Sequence, residues 1–177
     1  MLTLVKAQVW KYKSIEDSTP VALADAVTVL VGKNESGKTA FLEALHKAMP
    51  LGAAPFDYVA DYPRKDLVRY RPQHEAKNYQ KTVELTFRIE KALADKINAE
   101  VFGGAEIVTT GSTFTRDTTI ANSNSIGFHI DQGAAVAALQ KPLADLEHKD
   151  EVFNGAARLE DVLTKIEGLS LPADNRL

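Results

Sequence analysis

Apolar and polar positions alternate at the start of the chain. Val5, Ala7 and Val9 exchange with Lys6, Gln8 and Trp10, the period of two that predicts a half-buried strand. Residues 14–20 punctuate it as a turn, a short strand fits 20–23, and 24–26 turn again. Residues 27–31 (Val-Thr-Val-Leu-Val) lack alternation and predict a fully buried strand of a parallel or mixed sheet. Past residue 39 the period changes. Phe41, Leu42, Leu45, Ala48 and Met49 have helical spacing, and Pro50 stops the run. Residues 51–63, with Gly52, Pro55 and Pro63, read as a loop.

Alternation returns over 82–90, with Val83, Leu85, Phe87 and Ile89 on one face, predicting an antiparallel strand with a wet opposite face. A short helix is expected over 91–100, broken by Gly103 and Gly104. Residues 113–120 and 126–130 read as a hairpin about a turn at 122–125. Two helical stripes close the chain. Val136, Leu139, Leu143 and Leu146 mark 132–148, and Val152, Ala156, Leu159, Leu163 and Ile166 mark 150–168. Each lasts about two heptads, short for a sustained coiled coil. A helical hairpin is therefore favoured over the start of a coiled-coil insertion.

Between the expected strand 27–31 and the helix lies Gly32-Lys33-Asn34-Glu35-Ser36-Gly37-Lys38-Thr39, followed by Ala40. This is G-x-x-x-x-G-K-T in the strand–loop–helix setting that a phosphate-binding loop requires. Gly32 and Gly37 let the backbone bend so that successive amides face one point. The helix N-terminus adds partial positive charge. The Lys38 ammonium is placed to reach β- and γ-phosphates, and the Thr39 hydroxyl to ligate Mg²⁺. A nucleoside triphosphate with Mg²⁺ is the expected ligand.

Composition narrows the picture. The chain has 177 residues, 45% hydrophobic and 25% charged, as one globular domain would. It has no cysteine, which excludes disulfides and thiolate metal sites. His46, His74, His129 and His148 have no mutual metal-ligand spacing. No apolar run is long enough for a membrane span, and the N-terminus lacks a signal-peptide core, so a cytoplasmic protein is expected. The net charge of −3 argues against an overall basic nucleic-acid binder. Residues 61–81 nevertheless carry a local balance of +3, with Arg64, Lys65, Arg69 and Arg71 at its centre and Tyr62, Tyr70 and Tyr79 interleaved. Arginines beside aromatics suit phosphate contact and base stacking, while internal pairs such as Asp61 with Arg64 are the plainer reading.

Tyr12-Lys13-Ser14-Ile15 after a first strand, and then residues 29–45 (VLVGKNESGKTAFLEAL), resemble the N-terminus of ABC-type ATPases of the SMC and RecF kind. The similarity is closer to OLD-like (overcoming lysogenization defect) AAA ATPases. It covers residues 1 to about 50 well and 51–90 loosely. It implies a P-loop ATPase head of α/β class: an N-terminal lobe with a mixed sheet, an antiparallel β-subdomain and a following helical segment. The corresponding division is 1–50 as P-loop core, 51–130 as β-rich subdomain and loops, and 131–177 as helical segment. It also implies that Lys13 and Ser14 lie near the nucleotide, that Asn34 sits close to the γ-phosphate side, and that two heads sandwich ATP as a homodimer or higher oligomer. Glu35, where many SMC-like loops carry Gly, favours the OLD-like reading.

The same resemblance calls for a Walker B Asp-Glu pair and a Leu-Ser-Gly-Gly signature in a C-terminal half. Leu159-Glu160-Asp161 sits on a helical stripe, Phe128-His129-Ile130-Asp131 lacks the apolar run, and Gly168-Leu169-Ser170-Leu171 lacks the glycines. No choice among Gln73, Gln80, Gln132 and Gln140 as a nucleotide-sensing glutamine follows. The chain is thus expected to be the N-terminal lobe of a longer OLD/RecF/SMC-like ATPase acting on DNA or RNA in repair or anti-phage defence, hydrolysing little alone. The alternatives are a self-contained small P-loop NTPase or kinase, and a nucleic-acid-binding module.

Overall fold

A computed structural model describes residues 2–49, 54–140 and 149–168. Pro50, Leu143, Leu146 and His148, which figure in the expectations above, lie outside them. The described residues divide into two compact units that interleave along the sequence, one from Leu2–Arg88 with Thr113–Phe128 and the other from Ile89–Ser112 with those from His129 onward.

The first unit is built on a sheet. Strand β1 spans Leu2–Tyr12, β2 Ile15–Asp17, β3 Val21–Ala22, β4 Lys81–Ile89, β5 Thr113–Thr119 and β6 Asn124–His129. The strand order is β2-β1-β4-β5-β6, with β3 also on β1, and β1 pairs antiparallel with both β2 and β3. The alternation in β1 buries Ala7 and Val9 completely. At Lys11 the backbone turns to φ 46°, and the phase changes, so that Tyr12 rather than Lys11 enters the core. Lys13, at φ 50°, and Ser14 then form a tight turn into β2, where Tyr12 faces Ile15.

Helix α1 (Lys38–Ala48) buries Ala40, Phe41, Ala44, Leu45 and Ala48, a stripe of three- and four-residue steps. Leu42 falls off that stripe and is 58% exposed, contrary to the sequence expectation. The stripe packs into a core with Tyr12, Ile15, Phe56, Val83, Leu85 and Ile120.

Three expectations are corrected in this unit. Residues 27–31 form no strand. Val27, Val29 and Val31 are 73–90% exposed, and only Leu30 packs on the core. The run is β-prone, but no described strand pairs with it, and an unpaired strand gains neither ladder hydrogen bonds nor a covered face. Residues 51–63 are not all loop, since a short helix α2 spans Tyr58–Asp61, capped by the Asp57 side chain. Helix α3 (Leu67–Glu75) follows, with Pro72 inside it. Strand β4 has no simple wet face, because Thr82 and Thr86 are buried beside Val83 and Leu85. It lies between β1 and β5, antiparallel to β5, with a register shift between Lys81 and Val83.

In the second unit, helix α4 (Lys91–Val101) ends at Gly103 and Gly104, both left-handed at φ 60° and 89°. Its buried Asn98 ties down the following loop: Nδ2 donates to the Val108 carbonyl at 2.8 Å, and Oδ1 accepts from the Val108 amide at 2.9 Å. Helix α5 spans Gln132–Gln140, α6 Lys149–Phe153 and α7 Leu159–Gly168. One apolar cluster joins the last three helices through Val136, Val152 and Val162. The single helix expected over 150–168 is two, interrupted at Gly155 with φ 70°. Asp161, weighed above as a Walker B acid, instead caps α7 by accepting from the Ala157 and Arg158 amides at 3.0 and 2.9 Å. Asp131 likewise accepts from the Ala134 amide at the start of α5.

Candidate nucleotide site

Residues 32–37 run without regular structure into α1, whose N-cap Gly37 is left-handed at φ 86°, ψ 5°. No side chain caps this helix and no acid sits in its first turn. Its leading amides therefore remain available to an anion, with the helix dipole behind them. Of the two motif glycines Gly37 is the more constrained, since the atom nearest Gly32 is a movable serine hydroxyl. A Cβ on Gly32 would stand 2.9 Å from Ser36 Oγ, and one on Gly37 would stand 3.1 Å from Ile15 Cγ1 at a strained φ. Lys38 Nζ folds back over the loop and donates to the Gly32 and Lys33 carbonyls at 2.8 and 2.6 Å. These features fit a polyphosphate: bare amides, a close-turning loop and one ammonium at its centre.

The loop and the β1–β2 turn enclose a cleft of about 810 Å³. Lys13 and Ser14 line it from the hairpin, and Asn34, Glu35 and Gly37 from the loop. Lys38, Thr39 and Ala40 line it from the first turn of α1. Gly32 and Ser36 face a second cleft on the other side of the loop, which Gly37 and Lys38 also border. Lys33 contributes its carbonyl to Lys38 rather than a side chain to either cleft.

One cleft residue, Glu43, escaped the sequence reading. Its carboxylate pairs with Lys13 Nζ at 2.5 Å, across 30 residues of sequence. The available signal was helical spacing, since Glu43 lies four residues after Thr39 and so shares its face. The same ammonium sits 5.5 Å from the centre of the Tyr12 ring. Burial first, and then the Asp61 and Glu43 charges, push the Tyr12 hydroxyl above the usual tyrosine range.

The far side of the hairpin grips residues 61–66. The Lys13 amide donates to the Asp61 carbonyl at 2.6 Å, Lys11 pairs with Asp66 at 2.9 Å, and Lys65 pairs with Glu16 at 2.5 Å. Lys11 also pairs with Glu16. Hydrogen bonds from Lys11, then Lys65, hold the Glu16 carboxyl below its ordinary value. The Asp61 carboxylate is buried against Lys47 at 2.6 Å, not paired with Arg64.

Tyr62 and Tyr70 are corrected as base-stacking groups. Tyr62 and Tyr70 are 3% and 2% exposed and stack on each other at 4.2 Å, while Tyr79 packs on His74. Gln73 and Gln80 bond each other, and Gln80 accepts from the Tyr62 hydroxyl. Arg64, Lys65, Arg69 and Arg71 are exposed. Arg69 lines a small crevice with Lys11, and Arg71 is two residues further on, roughly 200° around α3.

An α/β unit whose glycine-rich loop opens an uncapped helix at Lys-Thr defines a P-loop nucleotide-binding protein. The AAA ATPase domain family model matches residues 4–162, and the chain belongs to that family. No curated protein matches it. A solved structure described under "Structural biochemistry of ATP-driven dimerization and DNA stimulated activation of SMC ATPases" is similar at 14% identity. It covers 95% of this chain and 92% of that one, with a TM-score of 0.36. Among the described residues no helix is long and apolar enough to cross a membrane.

Proposed function

We propose that this ATPase domain binds ATP with Mg²⁺ in the cleft between the β1–β2 turn and α1. Lys38 exchanges its loop carbonyls for the charged β- and γ-phosphate oxygens, which are stronger acceptors. Thr39 ligates Mg²⁺, and Lys13, Ser14 and Asn34 border the phosphates. The observation that carries this reading is the uncapped N-terminus of α1, with the Lys38 ammonium seated in the loop that precedes it. Mg-ATP affinity reduced about 10- to 100-fold by Lys38→Ala tests it, and equal affinity in the two proteins would reject it.

Within the family, the resemblance of residues 12–15 and 29–45 supports an OLD/RecF/SMC-like ATPase in which this chain supplies the P-loop lobe. In that reading two lobes close on ATP, and the whole protein acts on DNA in repair or anti-phage defence. A nucleic-acid role also draws on Arg64, Arg69 and Arg71, for which no ion pair is recorded among the described residues. With Tyr62 and Tyr70 buried, contact is to phosphates rather than bases. Replacing Arg64 and Arg71 by alanine is then expected to lower the slope of log affinity against log salt by roughly 1.8 for double-stranded and roughly 1.4 for single-stranded DNA. An unchanged slope rejects those two residues as contacts.

A further inference from the structure

We infer that Glu43 is a positioning residue for the nucleotide cleft, holding the Lys13 ammonium where an entering phosphate meets it. The inference rests on the reading of this cleft as an ATP site.

A lysine at a hairpin turn has a four-carbon stem with many rotamers and, left free, would lose that freedom on each binding event. Here it is already constrained. The Lys13 backbone is left-handed at φ 50°, and its amide is tied to the Asp61 carbonyl at 2.6 Å. Its Nζ lies 2.5 Å from the Glu43 carboxylate, with the Tyr12 ring centre 5.5 Å away. Glu43 is itself firmly placed, because Ala40, Phe41, Ala44 and Leu45 root α1 in the core on either side of it. Both side chains remain 41–45% exposed and both line the cleft, so the pair faces incoming ligand rather than serving as core packing.

The charges bind the two residues together functionally. Alone, Glu43 would repel a polyphosphate, and Lys13 cancels that charge. Without Glu43, Lys13 keeps its charge but loses its anchor. Each residue's effect on binding therefore depends on the presence of the other, which a double-mutant cycle reads directly.

Mg-ATP affinity is measured by calorimetric titration for the parent and for Lys13→Ala, Glu43→Ala, Glu43→Gln and the double variants. Lys13→Ala is expected to cost about tenfold in the parent and under about twofold in the Glu43→Ala background. In the Glu43→Gln background, whose amide oxygen still accepts from Lys13, most of the tenfold dependence is expected to remain. Thermal melting monitors folding, which an exposed pair affects little. Equal costs of Lys13→Ala in the parent and Glu43→Ala backgrounds overturn the inference. If the parent binds ATP, Lys38→Ala binds it at least about tenfold more weakly, and the cycle is additive, only the Glu43 assignment falls. A parent that binds no ATP removes both it and the ATP site.

Discussion

Gly37 shows how much one position of the loop specifies. Its φ of 86° and the 3.1 Å approach of Ile15 to its absent Cβ combine backbone strain with a steric limit. Gly104 has nearly the same φ, 89°, with nothing near its Cβ position. Gly104→Ala is expected to cost about 1 kcal/mol of stability from strain alone, and Gly37→Ala distinctly more, about 2 kcal/mol or above. Denaturant melts of the two variants compare them, and equal losses would mean that the Ile15 contact contributes nothing. Glu16 supplies a pH signature. Its folded pKa is depressed from the ordinary 4.5, so its contribution is present above that value and lost as pH falls through the depressed one. The parent should exceed Glu16→Gln in melting temperature at pH 6, with the gap closing below about pH 4.5. A gap constant with pH contradicts the Lys11–Glu16–Lys65 cluster. The glycines, Lys38 and Thr39 were open to proposal from the sequence because the motif is contiguous and its geometry local. Glu43 was not, because its meaning comes from a hairpin that folds Lys13 against it.

Among the elements, β1 and α1 were legible for the same reason: their periods of two and of three to four are written in neighbouring residues. What failed were mostly features set by neighbours distant in sequence. Residues 27–31 have strand composition, yet a strand needs a partner, and no described residues supply one. The two faces of β4 depend on its place between β1 and β5, which periodicity does not encode. The single helix expected over 150–168 overlooked Gly155, whose left-handed backbone splits it. Residues 58–61 form a helix because Asp57 caps it, while the Asp61 carboxylate accepts from the Asp57 amide at 2.9 Å and pairs with Lys47 on α1. Asp61→Ala leaves that amide and the partly buried Lys47 unpaired, and is expected to cost about 2–3 kcal/mol. A loss under about 0.5 kcal/mol in urea unfolding would show that α2 is held by its apolar contacts instead.

For the molecule as a whole, the net charge of −3 conceals a division of labour. The basic residues of 61–81 are partly spent on structure: Lys65 on Glu16 and Lys81 on Glu84 and Asp117. Tyr62 and Tyr70 among them build the core, which removes two of the three aromatics that suggested base stacking. The β1–β2 hairpin joins this segment to the phosphate loop, with Lys11, Lys13 and Glu16 on one side and Ile15 against Gly37 on the other. In the proposed reading the uncapped α1 and the Lys38 contacts converge on one cleft. Titration of Mg-ATP into the parent and Lys38→Ala tests that convergence most directly. Loss of one charge-assisted contact to the phosphates predicts affinity reduced about 10- to 100-fold with the fold intact, whereas equal affinity in the two proteins would contradict the assignment of this loop as the nucleotide site.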